Sequence, residues 1–277
     1  MIRILVDTSS DYTVEEIQAK GMELAPLHIT IGESDYRDAY DLSKDKFYEL
    51  LTSNEEVPKT SQPTPQDFVD IFEAVEEKGD ELICILLSSK LSGTFQSATL
   101  AKNIVEYDKI HLVDSLGATH MIRIMADHAQ ELAAAGKSAA EIVAVLEEMK
   151  SKIKVLAVVD TLEYLCKGGR VSKTTAAIGE MAKVKPMITV SEGEVAVIGK
   201  SLGKNKAIGN LLKALEECEV DDRFPIYSVS TLGEENCEAF ETRLTAAGYQ
   251  FKERVQIGAT IGTHVGPGAF GMIFVEK

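Results

Sequence analysis

The chain has 277 residues, four cysteines and no tryptophan, with 45% hydrophobic and 26% charged residues. At roughly 150 residues per domain this length fits two domains with a sufficient core, and the composition excludes a disordered chain, a collagen-like fibre and a disulfide scaffold. Twenty-nine Lys/Arg against 44 Asp/Glu give a net charge of −15; such a protein repels phosphate backbones and anionic membranes, so no nucleic-acid partner and no stable membrane insertion are expected.

Residues 2–6 read as a short buried strand. Asp7 ends the apolar run too early for a signal-peptide core or for the roughly 20 residues of a membrane span. A polar turn follows, then a helix over 14–20 that stops at Gly21, the usual left-handed cap. Residues 24–31 read as a second strand and 43–52 as a helix. Thr60-Ser61-Gln62-Pro63 is extended, since the residue before proline avoids the helical region. Thr64 then caps a helix with Pro65 at its first position, running to Gly79. The continuous apolar run 82–87 marks a strand buried on both faces of a parallel sheet. A polar loop over 88–93 leads into a helix over 94–107. A strand at 110–113 and helices at 117–135 and 139–151 follow. This alternation predicts a doubly wound α/β domain over 1–153, with ligand loops at the carboxyl ends of its strands.

From Lys154 the pattern changes. A strand at 155–159 precedes Lys167-Gly168-Gly169-Arg170 and a short helix. Strands 187–190 and 195–198 flank Glu192-Gly193, a hairpin signal. A helix near 204–217, a strand 226–230, a helix 234–246, a strand 252–257 and a glycine-rich end with a strand over 270–275 complete the chain. This predicts a second α/β domain over 154–277 with a smaller, mixed sheet. Between Lys150 and Lys206, eleven Lys/Arg stand against five Asp/Glu. Such a stretch is either a solvated face or one that meets an anionic ligand or acidic partner. Cys84, Cys166, Cys218 and Cys237 form no C-x-x-C pair, which favours a reducing, cytoplasmic setting and argues against a zinc site.

Gly266-Pro267-Gly268-Ala269-Phe270-Gly271 spells G-x-G-x-x-G. The dinucleotide motif needs a strand before it, a helix after it and an acidic residue about 20 positions on, so no nicotinamide or flavin cofactor is expected. There is no Walker loop, no G-x-S-x-G and no H-E-x-x-H. His120 and His128 lie about 12 Å apart along a helix, too far to share a metal, and read as partly exposed. His28 and His111 read as structural strand residues, and no metal is expected. Two polar loops remain, Thr60 to Pro65 and Ser88 to Thr94. The second meets a helix start, where free N–H groups and the dipole favour an anion. Ser92 and Thr94 add hydroxyls and Gly93 permits close approach; capping by Ser92 explains the same residues equally well. His264, held among glycines in segment 258–268, is a candidate to hydrogen-bond a ligand.

Five segments, in order, carry a resemblance to a known family. They are Asp7-Thr8-Ser9-Ser10-Asp11, Thr60-Ser61-Gln62-Pro63, residues 88–98 from Ser88 to Ala98, Leu162-Glu163-Tyr164-Leu165 with Gly168-Gly169-Arg170, and residues 261–268 around His264. Together they resemble the DegV family of bacterial fatty-acid-binding proteins. The resemblance implies a two-domain α/β protein with a long-chain fatty acid between the domains. It implies that Thr60, Ser61, Ser92, Gly93, Thr94 and His264 hold the carboxylate. It further implies a lipid carrier that is not catalytic alone. A separate ATP-dependent fatty acid kinase subunit phosphorylates the bound carboxylate, and the acyl phosphate enters phospholipid synthesis. Gly168-Gly169-Arg170 resembles the kinase-facing element, which makes Arg170 a partner contact; a helix cap or an inter-domain ion pair is the alternative. At Leu202 the chain departs from the arginine of several family members, and Lys200 and Lys204 flank the position as point charges rather than forks. Ile178, Met181, Met187, Ile261, Phe270 and Met272 could wall a tunnel or serve as ordinary core. The rival readings are a stand-alone lipid hydrolase using a serine–histidine pair and a small-molecule sensor using the same pocket.

Overall fold

Four parallel strands form the sheet of the first half. The computed structural model describes residues 1–54, 56–176 and 183–277. Strand β1 (Ile2–Asp7) is followed by α1 (Val14–Lys20), β2 (Glu23–Ala25), β3 (His28–Ile31), β4 (Ser34–Arg37), α2 (Lys44–Ser53) and β5 (Lys59–Ser61). Then come α3 (Pro65–Glu76), β6 (Glu81–Leu86), α4 (Thr94–Val105), β7 (Ile110–Asp114), α5 (His120–Ala134) and α6 (Ala139–Met149). The strand order is β2-β1-β6-β7. The helix starts follow the local chemistry. Thr64 caps α3 in a reciprocal box with Asp67 and Pro65 sits in its first turn. Gly21 ends α1 in the left-handed region at φ 62°.

The stretch over 24–31 is two strands, not one. Pro26 has no N–H to continue a ladder. Upstream of it β2 joins the parallel sheet, and downstream β3 becomes the centre of a separate antiparallel sheet, β4-β3-β5. In that small sheet Ile29 stands opposite both Tyr36 and Thr60.

The second half contains β8 (Ile153–Val158), α7 (Glu163–Lys167), α8 (Lys173–Ala176), β9 (Val184–Ser191), β10 (Glu194–Leu202) and α9 (Lys204–Glu216). It continues with β11 (Tyr227–Ser230), α10 (Glu234–Ala246), β12 (Arg254–Gln256), α11 (Ala259–Val265) and β13 (Phe270–Val275). The sheet order is β10-β9-β8-β13-β11-β12. Among the described strands of this sheet only β11 and β12 run parallel. This mixed sheet has six strands against four in the parallel sheet, so it is the wider of the two rather than the smaller. Glu192 and Gly193 both take positive φ at the β9–β10 turn, as a tight hairpin of right-twisted strands requires.

One face of the mixed sheet is covered by α9 and α10 through Leu211, Phe240 and Phe274. The other face shares a single core with the first half, in which Val229 and Ile273 join Val6, Ile85 and Met125. The glycine-dense segment 258–268 contains a helix, α11, which sequence composition hid. Its Gly262 is where α11 approaches α2: a Cβ there would stand 2.7 Å from Phe47 Cε1. His120 is buried rather than partly exposed. It sits at the start of α5, 3.8 Å from Asp11 and edge-on to Tyr227.

Strand β13 runs between β8 and β11, and its Gly271 leaves no room for a side chain. A Cβ at 271 would lie 2.6 Å from Ala157 Cα and closer still to the Leu156 carbonyl oxygen. Gly271→Ala is expected to destabilise the protein by about 1–3 kcal/mol through forced backbone shifts. Gly136→Ala has nothing within 4 Å and carries only the strain of its positive φ, about 1 kcal/mol. Thermal unfolding followed by circular dichroism checks the order; a smaller loss for Gly271→Ala would contradict the close approach.

Candidate functional site

The seam between the two main sheets holds a cavity lined mostly by apolar side chains. It opens at the carboxyl ends of the parallel strands, where the loops after β2, β6 and β7 supply Leu27, Leu87 and Ala118. The mixed sheet and its loops supply Val155, Val229 and Ile257 on the other side. Ile261 and Phe270 also line it. Met187 and Met272 pack instead in the core beneath α9 and α10, and Ile178 and Met181 lie outside the described residues.

Four polar side chains expected from the sequence line this cavity: Thr60, Ser92, Arg170 and His264. Thr60 sits in β5, and its Oγ1 lies 2.8 Å from His264 Nε2 on α11. Ser61, next along the strand, is exposed and outside the cavity, because successive side chains of a strand point to opposite faces. Ser92 Oγ lies 2.9 Å from Thr94 Oγ1 and accepts from the Thr94 N–H at 3.3 Å. Thr94 itself is buried and outside the cavity lining; it orients Ser92. The N-cap of α4 is Gly93, with no side-chain cap. A Cβ on Gly93 would stand 2.8 Å from Gln62 Nε2, so this glycine lets the loop after β5 pack against the start of α4.

His264 is fixed by the Gly-Gly-Arg segment. A Cβ on Gly168 would come within 2.8 Å of His264 Cε1, so only glycine leaves room for the ring. Nδ1 is buried there without a hydrogen-bond partner. Burial, aided by the charge of Arg170, pulls the imidazole down to a pKa of about 4, and the ring is neutral at pH 7.

Arg170 is half-buried. Its Nε and Nη2 donate to the Leu91 carbonyl at 3.0 and 2.8 Å, and Nη1 donates to the Gly168 carbonyl at 2.5 Å. The arginine thus bridges to the loop before α4 through backbone carbonyls, not through an ion pair. Three of its five N–H groups are engaged by these bonds. Outside the mouth, a shallow pocket brings Arg170 beside Ser89, Lys90, Ser92 and Gly93.

Sequence reasoning assigned no role to three buried carboxylates next to this site. Asp7 receives N–H bonds from Leu87 and Ser9 at 2.7 and 2.9 Å, and burial still pushes it up to about 6. Burial raises Asp38 to about 6 as well, although Thr260 donates to it from both N and Oγ1. Burial also acts on Asp11, but His120, Lys44 and Thr119 outweigh it and hold this carboxyl below its ordinary value. A signal existed for Asp11 in the quoted motif; none existed for Asp38.

No group of three or more potential metal ligands occurs among the described residues. No described helix is long and apolar enough to cross a membrane. The literal G-x-G-x-x-G runs from a helix through a turn into a strand, the reverse of the dinucleotide arrangement.

The sequence model of the family described as "Uncharacterised protein, DegV family" matches residues 1–277. A DegV domain-containing protein of Caldanaerobacter subterraneus subsp. tengcongensis is 36% identical over 281 residues, which cover 100% of this chain and 99% of that protein. Among solved structures, a fatty-acid-binding DegV family protein of Thermus thermophilus superposes with a TM-score of 0.88 at 28% identity, covering 100% of this chain and 99% of the other. DegV of Bacillus subtilis, described as a fatty-acid-binding protein, gives 0.84 at 31% identity with the same coverage. Sequence and fold agree along the whole length, and the chain belongs to the DegV family.

Proposed function

We propose that this protein binds a long-chain fatty acid in the seam cavity. On this reading the protein is cytoplasmic, and it presents the carboxylate to a separate ATP-dependent kinase subunit, which forms the acyl phosphate. The cavity carries the reading: an apolar enclosure whose hydroxyls, imidazole and guanidinium gather around Thr60 and His264. That is the shape and polarity of an amphiphile with a long tail and a small acidic head. The two solved relatives described as fatty-acid-binding support it. Each buried methylene is worth about 0.8 kcal/mol, so fourteen give roughly 11 kcal/mol before ordering costs.

A carboxylate leaving water needs donors. Thr60, Ser92 and the two unengaged N–H groups of Arg170 supply them, with neutral His264 directing the Thr60 hydroxyl. Thr94 and Gly93 serve the site indirectly, through Ser92 and Gln62. The units meeting at the cavity correspond on this reading to domains 1–153 and 154–277. For the kinase, the supporting features are the basic stretch 150–206 and the pocket outside Arg170. Leu202, 68% exposed at the end of β10, gives that face no second arginine fork. The chemistry belongs to the partner, which positions and neutralises the transferred phosphoryl group.

Denatured protein purified from bacterial cells is expected to release about one long-chain fatty acid per chain. In the native state ATP alone should leave that acid intact, while ATP with the kinase subunit should convert it to acyl phosphate. Absence of lipid in the extract, with no uptake of added fatty acid, would sink the binding reading; intact acid in the reconstituted mixture would sink the kinase one.

Thr60→Ala combined with Ser92→Ala should weaken fatty-acid binding while the protein stays folded. Each hydrogen bond lost to the charged head costs about 1.5–3 kcal/mol. An unchanged Kd in the folded double variant would place the carboxylate elsewhere.

The depressed pKa of His264 sets a further expectation. Between about pH 6.5 and pH 4 the unfolded chain takes up a proton at this residue that the folded protein refuses, so its contribution to stability falls as pH drops through that window. Denaturant unfolding at pH 7 and pH 5 should show a larger loss in the wild type than in His264→Gln. Equal losses would mean that His264 is protonated in the folded protein.

A further inference from the structure

We infer that Asp38, seconded by Asp11, is a positioning residue of the head-group site: it holds helix α11 where His264 meets Thr60. The inference rests on the fatty-acid reading above for its functional meaning, but its geometry stands independently.

Helix α11 lies between β12 and β13 in sequence, so it is connected on both sides to the mixed sheet. Its hydrogen bonds run to the other half of the chain. Lys44 Nζ donates to the Gln256 carbonyl at 2.9 Å, and Tyr48 OH to the Ile257 carbonyl at 2.9 Å. The Gly258 N–H donates to Asp11 Oδ1 at 2.8 Å. Thr260 donates to Asp38 Oδ2 from its N–H at 3.1 Å and from its Oγ1 at 2.5 Å. A seven-residue helix cannot hold itself in place. This one has no side-chain cap of its own, and its first N–H groups are taken by carboxylates from the opposite half.

Asp38 follows directly on β4, and Thr60 is in β5, so both are presented by the small sheet β4-β3-β5. Their partners, Thr260 and His264, are four residues apart on α11, hence on one face of the helix, about 6 Å apart along its axis. Both line the cavity. The small sheet therefore grips the helix at two points one turn apart. The grip near the N-terminus sets where the imidazole lies, and Gly168 closes off the space behind it. Asp38 is buried and is not among the residues that line the cavity, so it acts on the ligand only through α11.

The test uses Asp38→Ala and, should that variant fail to fold, Thr260→Val, each also combined with His264→Ala in the full chain. In ligand-free protein, Asp38→Ala is expected to move the His264 ring nitrogen and proton resonances in the same direction as Thr60→Ala does. Unmoved resonances overturn the inference whether or not any fatty acid binds. With palmitate as the probe, Asp38→Ala should weaken binding about tenfold in the wild-type background. The loss should shrink to about twofold or less once His264 is already alanine, because residues acting through one another are not additive. Equal losses in both backgrounds would show a general structural effect and overturn the positioning role. Failure of the wild type to bind palmitate, with the resonances moved as expected, would count against the fatty-acid reading and leave the grip on α11 standing.

Discussion

A carboxylate taken fully out of water must be given donors, and the two halves of this chain are joined where Asp11 finds them. One oxygen accepts from Thr119, ahead of α5, at 2.6 Å, and the other from Gly258, ahead of α11, at 2.8 Å. The Asp11 carbonyl meanwhile receives Lys44, which reaches across to Gln256 as well. Separating the halves would strip a buried charge of partners, a loss of several kcal/mol. Asp7 does the same within the parallel sheet by fixing Leu87 at the end of β6. The carboxyl ends of the strands are thereby rigid before any ligand arrives, and a rigid rim is what a binding site at those ends needs.

The second constraint is geometric. One face of the mixed sheet packs onto the first half in a shared core, but the packing is not complete along the whole seam. Where it stops, the walls are apolar and the rim is closed by contacts between the halves. Arg170 grips Leu91 on one side. The β9–β10 hairpin tip reaches over on another, where Ser88 Oγ donates to the Gly193 carbonyl at 2.7 Å and Lys90 faces Glu194 at 3.7 Å. Gly193 is required there, since a Cβ would stand 2.6 Å from Ser88 Oγ. Glycines 93 and 168 make room within each half, for Gln62 and for the His264 ring, and Gly193 makes room between the halves, against Ser88.

What could be read from the sequence divides along the same lines. Local devices were legible because they need only neighbouring residues: Gly21 ending α1, Thr64 and Pro65 opening α3, the apolar run of β6, Glu192-Gly193 turning a hairpin. The break at Pro26 was a local signal that a continuous hydrophobic pattern masked. Helix α11 was hidden because glycine reads as loop, while its stability comes from the carboxylates of Asp11 and Asp38 and the face of α2, none of them near in sequence. Thr60 and His264 are 204 residues apart and Asp38 and Thr260 are 222 apart. Periodicity and composition carry no information about pairs so distant. For Thr60, Ser92 and His264 the resemblance to a family supplied what spacing could not. For Asp38, a lone acid in a polar stretch, nothing did.

Arg170 shows how the electrostatics of the site follow from its packing. It is the only lysine or arginine among the described residues that line the cavity, and it is held there by carbonyls, which fix its plane without neutralising it. Burial disfavours its charge, and its proximity adds to the burial that keeps His264 neutral. Among the described lining residues the site therefore presents one cationic side chain in a low-dielectric seam, with hydroxyls around it. Such a site matches a head group bearing one negative charge, where attraction is strong and the balance is complete. A neutral head would leave the guanidinium uncompensated. A phosphorylated head would bring more negative charge than one guanidinium offsets. On the proposed function, then, the substrate acid is better balanced in this cavity than its acyl phosphate.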